Sequence, residues 1–222
     1  MLGSCARGSP RPEHEVQVTD LAAVAPAARP TKAARTRRRI LDAAARLFAE
    51  KGYSVTSLRE VAEAADLRDG SLYYHFSSKE ELVDEVTRNG VARAVEHIRA
   101  AVDGLGPNAS AARRLRALIR AHLESLCTLG DYPAAVLNIA QHAPLAIRER
   151  QLQQLRPFGG LWTGVIADAQ AAGVLPLPPS AAVVRDLIFG AMHATVRAGE
   201  PGTRSVDEVT DALTQLLGLP DL

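Results

Sequence analysis

Only two of the 222 residues are cysteine, Cys5 and Cys127, and they stand far apart in the chain. Neither a disulfide framework nor a thiolate metal site can be assembled from such a pair, which points to a reducing, cytoplasmic setting. No run approaches the roughly 18 apolar residues that a membrane span needs, so no membrane partner is expected. Leu2-Gly3-Ser4-Cys5 has the outline of a lipoprotein cleavage motif. However, no apolar segment precedes Cys5, and the Ala-rich octet Leu21 to Ala28 follows acids rather than a basic region, so export is not expected. A Walker-type phosphate loop and a dinucleotide glycine fingerprint are both missing, and the six histidines show no His-x-x-x-His spacing. Catalytic residues, a bound metal and a cofactor are accordingly not expected. β alternation and internal repeats are also absent, which leaves an all-α reading.

Net charge is only +1, but its distribution is uneven. Residues 31–79 hold ten Lys or Arg against six Asp or Glu, whereas residues 80–222 hold 13 against 16. A basic module on a mildly acidic body suits a protein that docks nucleic acid with one end. Residues 1–30, interrupted by Pro10, Pro12, Pro26 and Pro30, read as a disordered extension. From Lys32 to Glu50 a long helix is expected, with Ile40, Ala44, Leu47 and Phe48 on one face and Gly52 as its stop. Just ahead of that face lies Arg35-Thr36-Arg37-Arg38-Arg39, a basic arm suited to phosphates or a minor groove; a solvated face is the plainer alternative.

The chain is organised around residues 56–79. Leu58, Val61, Ala62 and Ala65 share a helical face, with Thr56 offered as the cap. After a turn at Asp66-Leu67, a second short helix sets Leu72 and Phe76 inward and Ser71, Tyr73, Tyr74 and His75 outward. Exposed aromatic surface needs a reason, and a partner with phosphate oxygens and base edges supplies one. Asp69 either caps this helix or accepts from a cytosine amino group.

Residues 40–82 resemble the helix-turn-helix domain of TetR-family transcriptional regulators, with Leu72-Tyr73-Tyr74-His75-Phe76, Ser77-Ser78 and Lys79-Glu80-Glu81-Leu82 in the family's order. Asp66 stands where Gly is common at the turn, and Arg68 where a small hydroxyl residue is common; Asp tolerates a left-handed backbone, so the turn is expected to form. The resemblance implies a three-helix DNA-binding domain over residues 31–78 and a helical ligand-binding and dimerisation domain over residues 79–222. It implies a homodimer on a palindromic operator of double-stranded DNA. Arg68, Asp69, Ser71 and Tyr73 would read base edges, while Arg37, Arg38, Thr56, Tyr74, His75 and Lys79 would grip phosphates.

Ser78 and two glutamates open another long helix, the expected lever out of the reading head. Further helices are read at about 108–129, 134–142, 147–172, 180–197 and 206–217, with a kink or break near Pro157 and Gly159-Gly160. The last two carry the apolar sets expected to pair two copies. Leu126, Tyr132, Leu137, His142, Trp162, Val165, Ile166, Phe189 and His193 are candidates to line an effector cavity, although each taken singly reads more readily as core. A loose pattern around Leu161-Trp162, Gly173-Val174-Leu175 and Phe189-Gly190 is similar to TetR-like repressors that respond to acyl-CoA thioesters. The function expected is a ligand-released repressor. The alternative is a helical small-molecule-binding or protein-interaction module without specific DNA binding.

Overall fold

Capping side chains set several of the helix starts in the computed structural model, which describes residues 31–198 and 204–220. The expected extension over residues 1–30 lies outside them. Among the described residues there are nine helices and no strand. In order they are α1 Lys32–Glu50, α2 Leu58–Ala64, α3 Asp69–Tyr73, α4 Lys79–Asp103, α5 Ala111–Thr128, α6 Tyr132–His142, α7 Leu145–Ala171, α8 Ala181–Ala198 and α9 Val206–Leu216. None of the described helices is long and apolar enough to cross a membrane.

Ser57, not Thr56, caps α2. Its hydroxyl accepts from the Glu60 N–H at 3.2 Å while the Glu60 carboxylate accepts from the Ser57 N–H at 2.8 Å, closing a capping box. The Ser57 N–H and then Lys51 hold the Glu60 carboxyl down at about 2. Thr56 is buried, and its hydroxyl donates instead to the Gly52 carbonyl at 2.8 Å, fixing the α1–α2 turn. Asp66 adopts φ +53° at the α2–α3 turn, where the family pattern carries glycine. Ser78 caps α4 through the Glu81 N–H.

Two further expectations need correction. α6 starts at Tyr132, ahead of the expected start at 134, with Pro133 in its first turn, where a missing N–H costs nothing. α7 runs through Pro157 without a break, which was one of the two forms expected there. Proline there removes the bond to the Gln153 carbonyl, but both residues face solvent, so the cost is limited.

The apolar side chains form two clusters. One gathers Ile40, Phe48, Val61, Leu72, Phe76, Leu82 and Val86 from the α1 to α4 region, and it also contains Tyr132, Ala135 and Ile139 from α6 and Ala143 just after it. The other unites Ile98, Leu115, Leu118, Trp162, Ile166, Ile188 and Leu213 from α4, α5, α7, α8 and α9. Helix α6 is thus part of the first core although it lies far along the chain. Tyr132 donates to the Asp42 carboxylate at 2.9 Å with the Arg93 guanidinium over its ring, and Asn138 donates to the Ala49 carbonyl at 3.4 Å. Gly90 of α4 permits the approach, since a Cβ there would stand 3.2 Å from Val136 and 3.4 Å from the Cβ of Tyr132.

Burial, followed by the bond to Asp42, raises the Tyr132 phenol above its usual range. Tyr132→Phe is expected to lower unfolding stability by about 1 kcal/mol, the net worth of one such hydrogen bond. Urea denaturation at pH 7 measures this, and an unchanged midpoint would show that the bond does not hold α6 to α1.

Candidate nucleic-acid interface and internal cavity

The α2–α3 pair is anchored from below and bare above. Leu72 and Phe76 are fully buried, while Tyr73 is 58% exposed and Tyr74 85% exposed. Ser71 and Arg68 are also exposed, and His75 is half-buried with its ring edge-on to Tyr74 at 5.4 Å. α3 begins at Asp69, and the cap position belongs to Arg68, which makes no side-chain cap bond. Arg68, Ser71, Tyr73 and Tyr74 therefore present one outward surface of hydroxyl, phenol and guanidinium groups.

Two residues expected to touch phosphates have internal duties. The Arg37 guanidinium pairs in bidentate fashion with Glu85 of α4, donates to the His75 carbonyl at 2.6 Å and lies 4.1 Å over the Phe76 ring. The hydrogen bond to Glu85 raises its already high pKa. A planar fork that stacks and chelates at once is the geometry in which lysine cannot replace arginine. Arg37 thus fastens α1, the end of α3 and α4 together, and Thr56 fastens the α1–α2 turn. Arg39 likewise donates to the Ala65 carbonyl and faces Asp66. Arg38 remains exposed, 3.8 Å from Asp42. Lys79 lies over the Tyr53 ring at 4.1 Å, and burial lowers its pKa despite the nearby Glu80 and Glu60.

A cavity of about 440 Å³ opens between α4, α5, α6, α7 and α8. Of the residues expected there, Leu126, Leu137, Phe189 and His193 line it. The other five lie elsewhere. Tyr132 belongs to the first core, Trp162, Val165 and Ile166 pack in the second, and exposed His142 borders a smaller adjoining cavity of about 200 Å³. Trp162 is fully buried, edge-on to Phe189 at 4.9 Å, so it supports the cavity wall without forming it.

The expectation missed His122, Ser125, Phe158, Arg156, Arg185 and Asp186, all on the wall. His122 stacks on Phe189 at 5.4 Å, and its Nε2 lies 3.3 Å from Nε2 of His193. Only one of those two nitrogens can carry the proton they share. Burial, with His193 adding to it, pushes the His122 pKa down to about 3, so the ring is neutral at ordinary pH. Among the described residues no group of His, Cys, Asp and Glu could hold a metal ion.

Since the unfolded chain protonates His122 near pH 6.5, the stability gained by keeping the ring neutral is complete above that pH. It is lost as pH falls through the window from 6.5 to about 3, by at most about 1.4 kcal/mol per pH unit. His122→Phe is expected to flatten the acid side of the stability profile between pH 6.5 and 5. Identical profiles for the two proteins would contradict this assignment.

Two family models match the chain: "Bacterial regulatory proteins, tetR family" over residues 40–86, and "Tetracyclin repressor-like, C-terminal domain" over residues 108–218. The transcriptional repressor KstR2 of Rhodococcus jostii is 36% identical over 132 residues, which are 59% of this chain and 63% of that one. The chain thus aligns with less than two thirds of that relative's length. The crystal structure of AibR in complex with isovaleryl coenzyme A and operator DNA covers 84% of this chain and 100% of its own, with a TM-score of 0.69 at 24% identity, a likeness of fold. The structure of KstR2 of Mycobacterium tuberculosis covers 82% and 91%, with a TM-score of 0.62 at 25% identity. Matches to both the amino-terminal and the carboxy-terminal models, the latter over half of the chain, establish that this protein belongs to the TetR family of bacterial regulators.

Proposed function

We propose that the protein is a cytoplasmic, DNA-binding transcriptional regulator, most simply a repressor, that binds a palindromic operator as a homodimer and is released by a small molecule. The observation that carries this reading is the bare face of α3, where two adjacent tyrosines stand in solvent above a tightly anchored core. Residues 31–78 form the reading head and residues 79–222 the ligand-binding and dimerisation part. Arg68, Ser71 and Tyr73 read base edges, and Arg38, Tyr74, His75 and Lys79 hold phosphates; the Asp69 side chain, also expected to read bases, lies outside the described residues. Arg37 and Thr56 act one step back, by keeping α3 in place.

A single α3 reaches few base pairs, so two copies must present their readers about one helical turn apart. Val183 and Leu187 on α8 and Leu216 on α9 are exposed apolar residues suited to pairing copies through these helices. An effector in the 440 Å³ cavity acts by binding the free and operator-bound arrangements unequally. Helices α4 and α6 both touch the cavity and the head's core, so they are the elements such a ligand would move. An acyl-CoA thioester is the favoured class, supported by the isovaleryl coenzyme A bound by AibR and by the fold the two proteins share.

The test is binding of the purified protein to DNA upstream of its own gene, followed by selection from random sequence, at two salt concentrations. Wild type is expected to select a palindrome with salt-dependent affinity. Tyr73→Ala should weaken it by roughly 5- to 150-fold, the range for losing one base contact. Failure to enrich any sequence would overturn the reading.

A further inference from the structure

The cavity wall is apolar except at a few positions, and their arrangement is informative. Leu152, Leu155, Arg156 and Gly159 follow one another at i, i+3, i+4 and i+7 on α7, a single stripe that meets the cavity. The arginine therefore interrupts an otherwise apolar face at the level where Gly159 stands. Across from that glycine sits Arg185 of α8, whose Nη1 would lie 3.1 Å from a Cβ at position 159. The absence of a side chain at 159 is what lets this guanidinium lie against α7. Three of the wall residues carry full charge, namely Arg156, Arg185 and Asp186. Asp186 accepts from Arg185 Nε at 2.9 Å and stands 2.7 Å from its Nη2, which accounts for one cation. No described carboxylate pairs with Arg156, so this end of the cavity carries a net positive charge.

The other polar wall groups carry no charge: Ser125 donates to the His122 carbonyl at 2.7 Å, and the His122–His193 pair lies against Phe158 and Phe189 and offers hydrogen bonds. An anion buried there would lack a counter-charge, which costs far more than leaving it beside the arginines.

Resting on the reading of this cavity as the effector site, we infer that the effector is an amphiphilic anion. Its apolar part fills the space along Val91, Leu126, Leu137 and Phe189, and its negative group is held at one end by Arg156 and Arg185. Carboxylates and the phosphates of a coenzyme A thioester share this chemistry, and guanidinium groups bind both in bidentate fashion.

The sole tryptophan, Trp162, packs against Phe189 and supplies the readout. Its fluorescence is followed while the purified full chain is titrated with dodecanoate, dodecanoyl-CoA and dodecanol at fixed ionic strength. At least one anion is expected to bind about tenfold or more tightly than the alcohol, the worth of a charge-assisted contact. The tighter of the two identifies the source of the negative group. Arg156→Gln, at an exposed position, should reduce the preference without changing the affinity for dodecanol, and Arg185→Gln should do the same if circular dichroism shows it folded. Equal binding of the alcohol and both anions, a preference that survives Arg156→Gln, or no response to any of the three would overturn the inference. Operator binding by the ligand-free protein is scored separately. Loss of the anion preference leaves that binding untouched, whereas a protein with the preference but no DNA affinity fails only the regulator reading.

Discussion

Helix α6 serves two neighbours at once, and the rest of the arrangement depends on this. One side of the helix contributes Tyr132, Ala135 and Ile139, with Ala143 just past its end, to the core beneath the α2–α3 pair, while Pro133, Val136, Leu137 and Ala140 face the cavity. Residues at three- and four-position spacing make both faces possible on eleven residues. The helix cannot slide freely, because Tyr132 is bonded to Asp42, Asn138 to the Ala49 carbonyl, and the Val136 carbonyl to buried Gln151 of α7 at 3.0 Å. Packed helices of this kind shift between discrete arrangements rather than deforming continuously. On the proposed function, a ligand against Val136 or Leu137 would touch the same helix that completes the first core.

The Arg37 clamp gives that core its upper boundary. By joining Glu85, the His75 carbonyl and the Phe76 ring, one side chain of α1 ties the end of α3 to α4. α3 is only five residues long and would not hold its shape alone. Its orientation comes from Leu72 and Phe76 below and from this clamp at its end, which leaves Tyr73 and Tyr74 in solvent. The same economy holds around the cavity, where Trp162 and Phe158 are packed behind and beside the neutral His122 and keep the wall in place.

Local chemistry was legible in the sequence wherever partners lie within a turn or two. The period of Ile40, Ala44, Leu47 and Phe48 and the Ser78 cap could be read directly, and the left-handed Asp66 through the resemblance that puts glycine at its turn. The capping box at Ser57 was readable as well, since Ser-x-x-Glu is its signature, but Thr56 one position earlier is an equally good capping residue type. What could not be read is the identity of distant partners. Nothing in Arg35 to Arg39 says that Glu85, 48 residues from Arg37, will take that guanidinium away from solvent. The same holds at the cavity. Arg156 falls in the stripe Leu152, Leu155, Arg156 and Gly159 of α7, whereas Arg185 comes from α8, and no local pattern says that the two helices bring these arginines to one cavity. His122 was hidden for a different reason, because a buried neutral histidine and a solvated one are the same letter.

The coupling of cavity to reading head through α6 is tested most directly by hydrogen exchange of the purified protein with and without saturating dodecanoyl-CoA, followed by mass spectrometry. If α6 links the two, amide protection changes in Tyr132–His142 and also in residues 58–76, which the ligand does not touch. Changes confined to α5, α7 and α8, with α6 and the α2–α3 pair exchanging as before, would contradict the account.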